Sequence, residues 1–183
     1  MTVKEFEAWL TDLLSKDRLE VGALLRDPRA LHFFITWSLF ESKCFGGFLK
    51  LEALDPFASR LVAEHYDSRA LLEPLTHFHD RYQDAKRYRQ LTHRQVCERA
   101  QKLLGLPVAT LTPEDVIFFV SFVVYRFRNN MFHGNKGVRS WLNYGPQIAL
   151  CTAAMQSFVS HAEGQTPSLS DPASVARREQ PTA

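Results

Sequence analysis

The stretch Thr112-Pro113-Glu114-Asp115, followed by VIFFVSFVVY, constrains this chain more than any other. Thr112 is of the residue type that caps a helix start, and Pro113 suits the first helical position. The two acids face the positive end of the helix dipole. From Val116 to Tyr125 only Ser121 interrupts the apolar residues. A helix that is apolar nearly all round lies at the centre of a bundle or is shared between two chains. Ten residues fall well short of the ~20 that cross a bilayer, so no membrane partner is expected.

The rest of the chain agrees with an all-helical fold. Apolar spacing is helical almost throughout, with no useful strand alternation and no internal repeat. Phe6, Trp9, Leu10, Leu13 and Leu14 form one stripe. A second helix starts after Asp27-Pro28, carries Phe33, Phe34, Trp37, Phe40 and Cys44, and is interrupted by Gly46-Gly47. Further helices are expected over Leu49–His65, with a bend at Asp55-Pro56, over 68–84, and over 87–104, where Gly105 and Pro107 end the last of these. The helix after Thr112 ends near His133-Gly134, and a final one runs from Tyr144 to Ala162. A chain of 183 residues suits one core. Residues 1–162 read as one up-and-down helical domain. Residues 163–183 carry three prolines and little to bury, and read as a disordered tail.

Composition narrows the function classes. Fourteen phenylalanines point to a rigid aromatic core or a buried self-association surface. Cys44, Cys97 and Cys151 lie far apart with no CxxC spacing, which argues against a disulfide framework or a zinc knuckle. The start, MTVKEFEAWLTDLL, is acidic and lacks the apolar core of a signal peptide, so a cytoplasmic protein with reduced thiols is expected. His77 and His79, two apart on a helix, face different directions, and His65 lies further back; no metal site and no cofactor are expected. The net charge of +2 steers nothing, but its distribution is uneven. Residues 81–102 hold seven cations (Arg81, Lys86, Arg87, Arg89, Arg94, Arg99, Lys102) against Asp84 and Glu98, with Tyr82 and Tyr88 among them. Such a stretch is either a solvated helix face or a track for a phosphate backbone and a stacked base. Arg87 and Arg89 are its candidate RNA contacts.

Directly after the apolar run comes Arg126-Phe127-Arg128-Asn129-Asn130-Met131-Phe132-His133-Gly134-Asn135-Lys136. A helix that needed only solvation would not crowd two Arg, two Asn and a His at the end of its most buried stretch. His passes protons near neutral pH, Arg presents a planar fork to phosphate oxygens, and Asn can orient either. Together they suffice for RNA cleavage without metal. The carboxylate clusters of a two-metal nuclease are absent from the segment. Asn129 and His133, four apart, share a helix face, whereas Arg128 and His133 stand roughly 140° apart. The pair converges only if the helix ends at His133 or if a second chain completes the site.

Arg128-N-N-M-F-His133 resembles the R-x(4–6)-H motif of the HEPN superfamily, in the form where Asn follows the Arg. The resemblance implies a small helical bundle that dimerises through the motif helix. It also implies a metal-independent endoribonuclease of the toxin, anti-phage or RNA-surveillance kind, with an antitoxin or other regulatory partner. Arg128 and His133 would be catalytic, Asn129 their polar partner, and Lys136 a phosphate contact; Arg126 and Asn130 beside them are further candidate RNA contacts. The segment from Phe34 to Gly47 looks like the early helix of such proteins, and Glu41 on it would hold Arg128 or His133 by a hydrogen bond, unless it is a surface residue of an amphipathic helix. Some HEPN toxins carry a Tyr two residues after the His, which a partner nucleotidyltransferase modifies; Asn135 stands there, which puts that kind of partner in doubt. The alternatives are a non-catalytic HEPN-like dimer that binds RNA or a nucleotide or acts as a scaffold, and a helical interaction protein in which the segment only caps a helix.

Overall fold

The computed structural model describes residues 2–14, 18–93, 95–132 and 143–164. Among them all regular structure is helical and there is no strand. The helices are α1 (Val3–Leu14), α2 (Arg18–Arg26), α3 (Pro28–Phe45), α4 (Leu54–Ala63), α5 (Leu72–Tyr82), α6 (Ala85–Thr92), α7 (Glu98–Leu104), α8 (Pro113–Phe132) and α9 (Gly145–Ala162). None is long and apolar enough to cross a membrane.

The central helix is the one the apolar run specifies. Thr112 and Asp115 cap α8 reciprocally: Thr112 Oγ1 accepts from the Asp115 amide at 3.2 Å, and the Asp115 carboxylate takes the Thr112 amide and hydroxyl. Arg99 of α7 then ties this end to the bundle. Its guanidinium bonds to Asp55 of α4 and to Asp115 at 3.1 Å, and lies 4.3 Å from the Phe118 ring. Further along, Ile117, Phe119, Val120, Phe122, Val123 and Val124 are wholly buried. α4, α5, α6, α7 and α9 all pack around α8. The expectation of a bundle-centre helix therefore holds within one chain.

α3 and α9 form the most extensive helix pair. Asp27 caps α3 by accepting from the Arg29 amide, and Pro28 takes the first turn. Gly46, at φ 70°, ends the helix in the left-handed conformation that glycine adopts without strain. Between the two helices Phe40 stacks on Phe158 at 5.5 Å, and Phe57 of α4 packs edge-on to both. α1 and α2 pack mainly on each other, so Trp9 and Leu13 of the first predicted stripe remain half-exposed.

Three expected helices differ from those observed. The segment 87–104 is not one helix but two: His93, at φ 50°, caps α6, and the chain turns before α7. The expected bend at Asp55-Pro56 is a helix start, because Pro56 sits in the first turn of α4, after a 3₁₀ turn at Leu51–Ala53. A second 3₁₀ turn, Ser68–Leu71, leads into α5, which ends at Tyr82. The tail beyond Gly164 lies outside the described residues.

Candidate site at the end of the central helix

Arg128 and Asn129 lie one turn from the end of α8, both half-buried. The Arg128 guanidinium lies 5.1 Å from the ring of Trp37 on α3, and its Nη1 donates to Asn129 Oδ1 at 3.2 Å. Trp37 is buried, and its indole N–H donates to Glu41 Oε2 at 2.6 Å. Trp37 and Glu41 are four apart, so they share one face of α3. The other carboxylate oxygen, Oε1, accepts the Leu49 amide at 3.1 Å, just past the α3 cap. Glu41 thus reaches Arg128 through the indole: it fixes the ring, and the ring carries the guanidinium. A cation seated on Trp is worth about 0.5–2 kcal/mol, depending on desolvation. The Arg128 Nε is buried beside the ring, and Nη1 is turned toward Asn129.

Two other motif residues are engaged on a different side. Asn130 is 2% exposed, and its Nδ2 donates to the carbonyls of Gln90 at 3.3 Å and Leu91 at 2.9 Å. These are last-turn carbonyls of α6, which the left-handed cap at His93 leaves needing donors. Arg126 is also buried; its Nη1 donates to Gln95 Oε1 at 2.8 Å, and it lies 5.7 Å from the Phe122 ring. Arg126 and Asn130, expected as RNA contacts, bind α6 and the α6–α7 connection to α8. His133 and Lys136 lie outside the described residues.

The basic stretch enters the structure beside them. Arg81, Tyr82, Arg87, Gln90, Leu91, Phe127, Asn130 and Tyr144 line a shallow cleft between α5, α6, α8 and the start of α9. Arg81 lies 5.6 Å from the Tyr144 ring. Arg87 is exposed, and Asp84 is its carboxylate neighbour, at 3.9 Å. Arg89 is exposed too, but its Nε folds back onto the Ala85 carbonyl. Phe127 separates this cleft from Arg128, packing on Phe33 at 6.3 Å and on Tyr144 at 5.8 Å. One turn below Arg81, His77 meets Gln147 of α9 at 3.0 Å; burial, and then Arg81, push its pKa below the ordinary value. His79 instead faces the Leu103 carbonyl, so the two histidines diverge.

A larger cleft of about 340 Å³ lies at the C-terminal end of α3, against α4 and α9. Lys43 there pairs with Glu163 at 3.0 Å, Glu64 Oε2 lies 3.4 Å from His161 Nε2, and Arg60 donates to the Cys44 carbonyl at 2.7 Å. Burial pushes the Cys44 thiol up to about 12, which keeps it protonated and unreactive.

The sequence placed Trp37 only in an apolar stripe and Arg81 only among the cations of the basic stretch. Trp37 and Glu41 four apart on one helix were a readable signal; Tyr144 was visible only as a helix start. Compared with known protein families, with curated proteins and with solved structures, the chain matches none.

Proposed function

We propose that this protein is a metal-independent endoribonuclease that works as a homodimer, with its centre at the end of α8, acting as a toxin or anti-phage effector under an antitoxin or other regulatory partner in the cytoplasm. The observation that carries the reading is the setting of Arg128: its guanidinium 5.1 Å from the Trp37 ring, with Asn129 on its Nη1, near the end of the central helix. The resemblance of Arg128–His133 to the HEPN motif supports it. In the proposed reaction His133 takes the proton of a ribose 2′-hydroxyl, and the 2′-oxygen attacks the adjacent phosphorus. The bond to the 5′-oxygen breaks, and that oxygen leaves with a proton. The products are a 2′,3′-cyclic phosphate and a 5′-hydroxyl. Arg128 offsets the charge that builds on the non-bridging oxygens. Asn129 fixes Arg128, and Lys136, Arg87 and Arg89 contact the flanking strand. The requirement for a 2′-hydroxyl makes the substrate RNA.

The test is incubation of pure protein with total RNA in EDTA, with mapping of the ends. Cyclic phosphate termini are expected, and His133→Ala or Arg128→Ala should slow cleavage by roughly 10²–10³-fold. Intact RNA with the wild type, or unchanged cleavage by His133→Ala, overturns the proposal. The second reading, a non-catalytic RNA-binding or scaffold dimer, is favoured by the acid-free lining of the Arg81–Arg87 cleft. It expects RNA binding without cleavage, insensitive to Arg128→Ala but weakened when Arg87 and Arg89 are neutralised.

A further inference from the structure

Two arginines flank the end of α8, and both are seated on aromatic rings. Arg128 lies on Trp37 on the α3 side, and Arg81 on Tyr144 on the α5 side. Phe127 stands between the two settings, in contact with Phe33 and Tyr144. The lining around Arg81 adds Arg87, Gln90 and Asn130 and includes no carboxylate. Asn130 is already committed to the α6 carbonyls, so the cations are what this cleft offers to a ligand. Arg81 has no carboxylate within ion-pair distance among the described residues, and Arg87 has only the loose contact to Asp84. A cation lacking a counter-ion, set against an aromatic ring at the mouth of a shallow cleft with a second cation beside it, suits an oxyanion with several acceptor oxygens.

We infer that Arg81, seated on Tyr144 and joined by Arg87, is a phosphate clamp that holds a phosphodiester of the RNA strand flanking the one at Arg128. The identity of the flanked phosphate rests on the nuclease reading; the clamp itself does not. The strand crosses the end of α8 over Phe127, with one aromatic-backed arginine on each side. Tyr144 has a defined part: its ring backs the Arg81 guanidinium, so the clamp depends on a ring that carries no charge.

The experiment is fluorescence anisotropy of a short fluorescein-labelled oligouridine with the His133→Ala protein, titrated at several salt concentrations. Arg81→Ala should weaken binding about ten-fold and make the slope of log affinity against log salt shallower by about 0.7 per lost phosphate contact. Arg81→Lys should recover only part of the affinity, because it restores charge without the fork. Tyr144→Phe should bind as the parent does, and Tyr144→Leu should weaken binding although every charge is kept. Unchanged affinity and salt slope in Arg81→Ala overturn the inference, as does full affinity in Tyr144→Leu or no binding by the parent protein. Thermal melts of each variant separate lost binding from lost folding. Binding that depends on Arg81 alongside intact RNA with the wild type would remove the nuclease reading and leave the clamp standing.

Discussion

Asn130 shows what a single side chain does at the end of α8. It is almost wholly buried, and its amide supplies donors to two carbonyls of α6. Removing the amide leaves those carbonyls without that donor in a place water reaches poorly. Asn130→Ala is therefore expected to lower stability by about 1–3 kcal/mol, read as a shift in the urea midpoint. Asn130→Asp should cost more at neutral pH, because it turns a charge toward two carbonyl oxygens, and should recover as the carboxyl protonates. A midpoint equal to the wild type in Asn130→Ala would contradict this role. Residue types and spacing made Arg128 and Asn129 legible in the sequence, but not which neighbours cover each helix face. Arg126 and Asn130, four apart, share a face. That face meets Gln90, Leu91 and Gln95, while Arg128 turns toward Trp37. The motif thus divides into a pair that ties α6 to α8 and a pair, Arg128 and Asn129, joined to each other beside Trp37, a division that only the packing of α6 reveals.

At the scale of elements, the start of α3 is coupled to the start of α9. Asp27 caps α3 and receives the Arg29 guanidinium on both carboxylate oxygens. Arg29 in turn lies where a side chain on Gly145 would point. Gly145→Ala must displace that guanidinium, so its cost should shrink when Arg29 is already Ala. A double-mutant cycle should give a coupling of about 0.5–3 kcal/mol, whereas simple additivity would show that the two helix starts are independent. The same cap sets a pH dependence. The hydrogen bond from Arg29 holds the Asp27 carboxyl below the usual range. A depressed folded-state pKa adds stability above the unfolded value of about 3.9, and that stability is lost as pH falls through the folded value. Asp27→Asn keeps a capping oxygen but not the charge. It should be less stable than the wild type at pH 7, and the gap should close as pH falls through the folded value; a gap that persists once the carboxyl is protonated would contradict the linkage. Element starts of this kind were readable from Asp27-Pro28 and Thr112-Pro113, because capping is local chemistry. The break between α6 and α7 was not, because His93 caps α6 in the left-handed region while Asn130, remote in sequence, takes the Gln90 and Leu91 carbonyls.

For the molecule as a whole, periodicity made the all-helical fold and the central place of α8 legible, since an all-round apolar helix has few places to go. The docking of α1 and α2 was not legible, because their stripe is short and leaves Trp9 and Leu13 half-exposed. The proposed dimer makes the last prediction. Arg128 and the position of His133 diverge by roughly 140° on a regular helix, which favours a centre that takes its arginine from one chain and its histidine from the other. Arg128→Ala and His133→Ala would each keep no more than about a hundredth of the activity alone. In a mixed dimer, one of the two centres would then lose both groups and the other would regain both. Random reassortment makes half the dimers mixed, each with one good centre of two, so the mixture should recover about a quarter of wild-type cleavage. If both groups come from the same chain, every centre in the mixed dimer carries one defect and nothing is recovered. The measurement is RNA cleavage after the two variants are unfolded together and refolded, with each refolded alone as the control. Recovery places the reaction between two chains, and its absence in a mixture shown to contain mixed dimers places it within one.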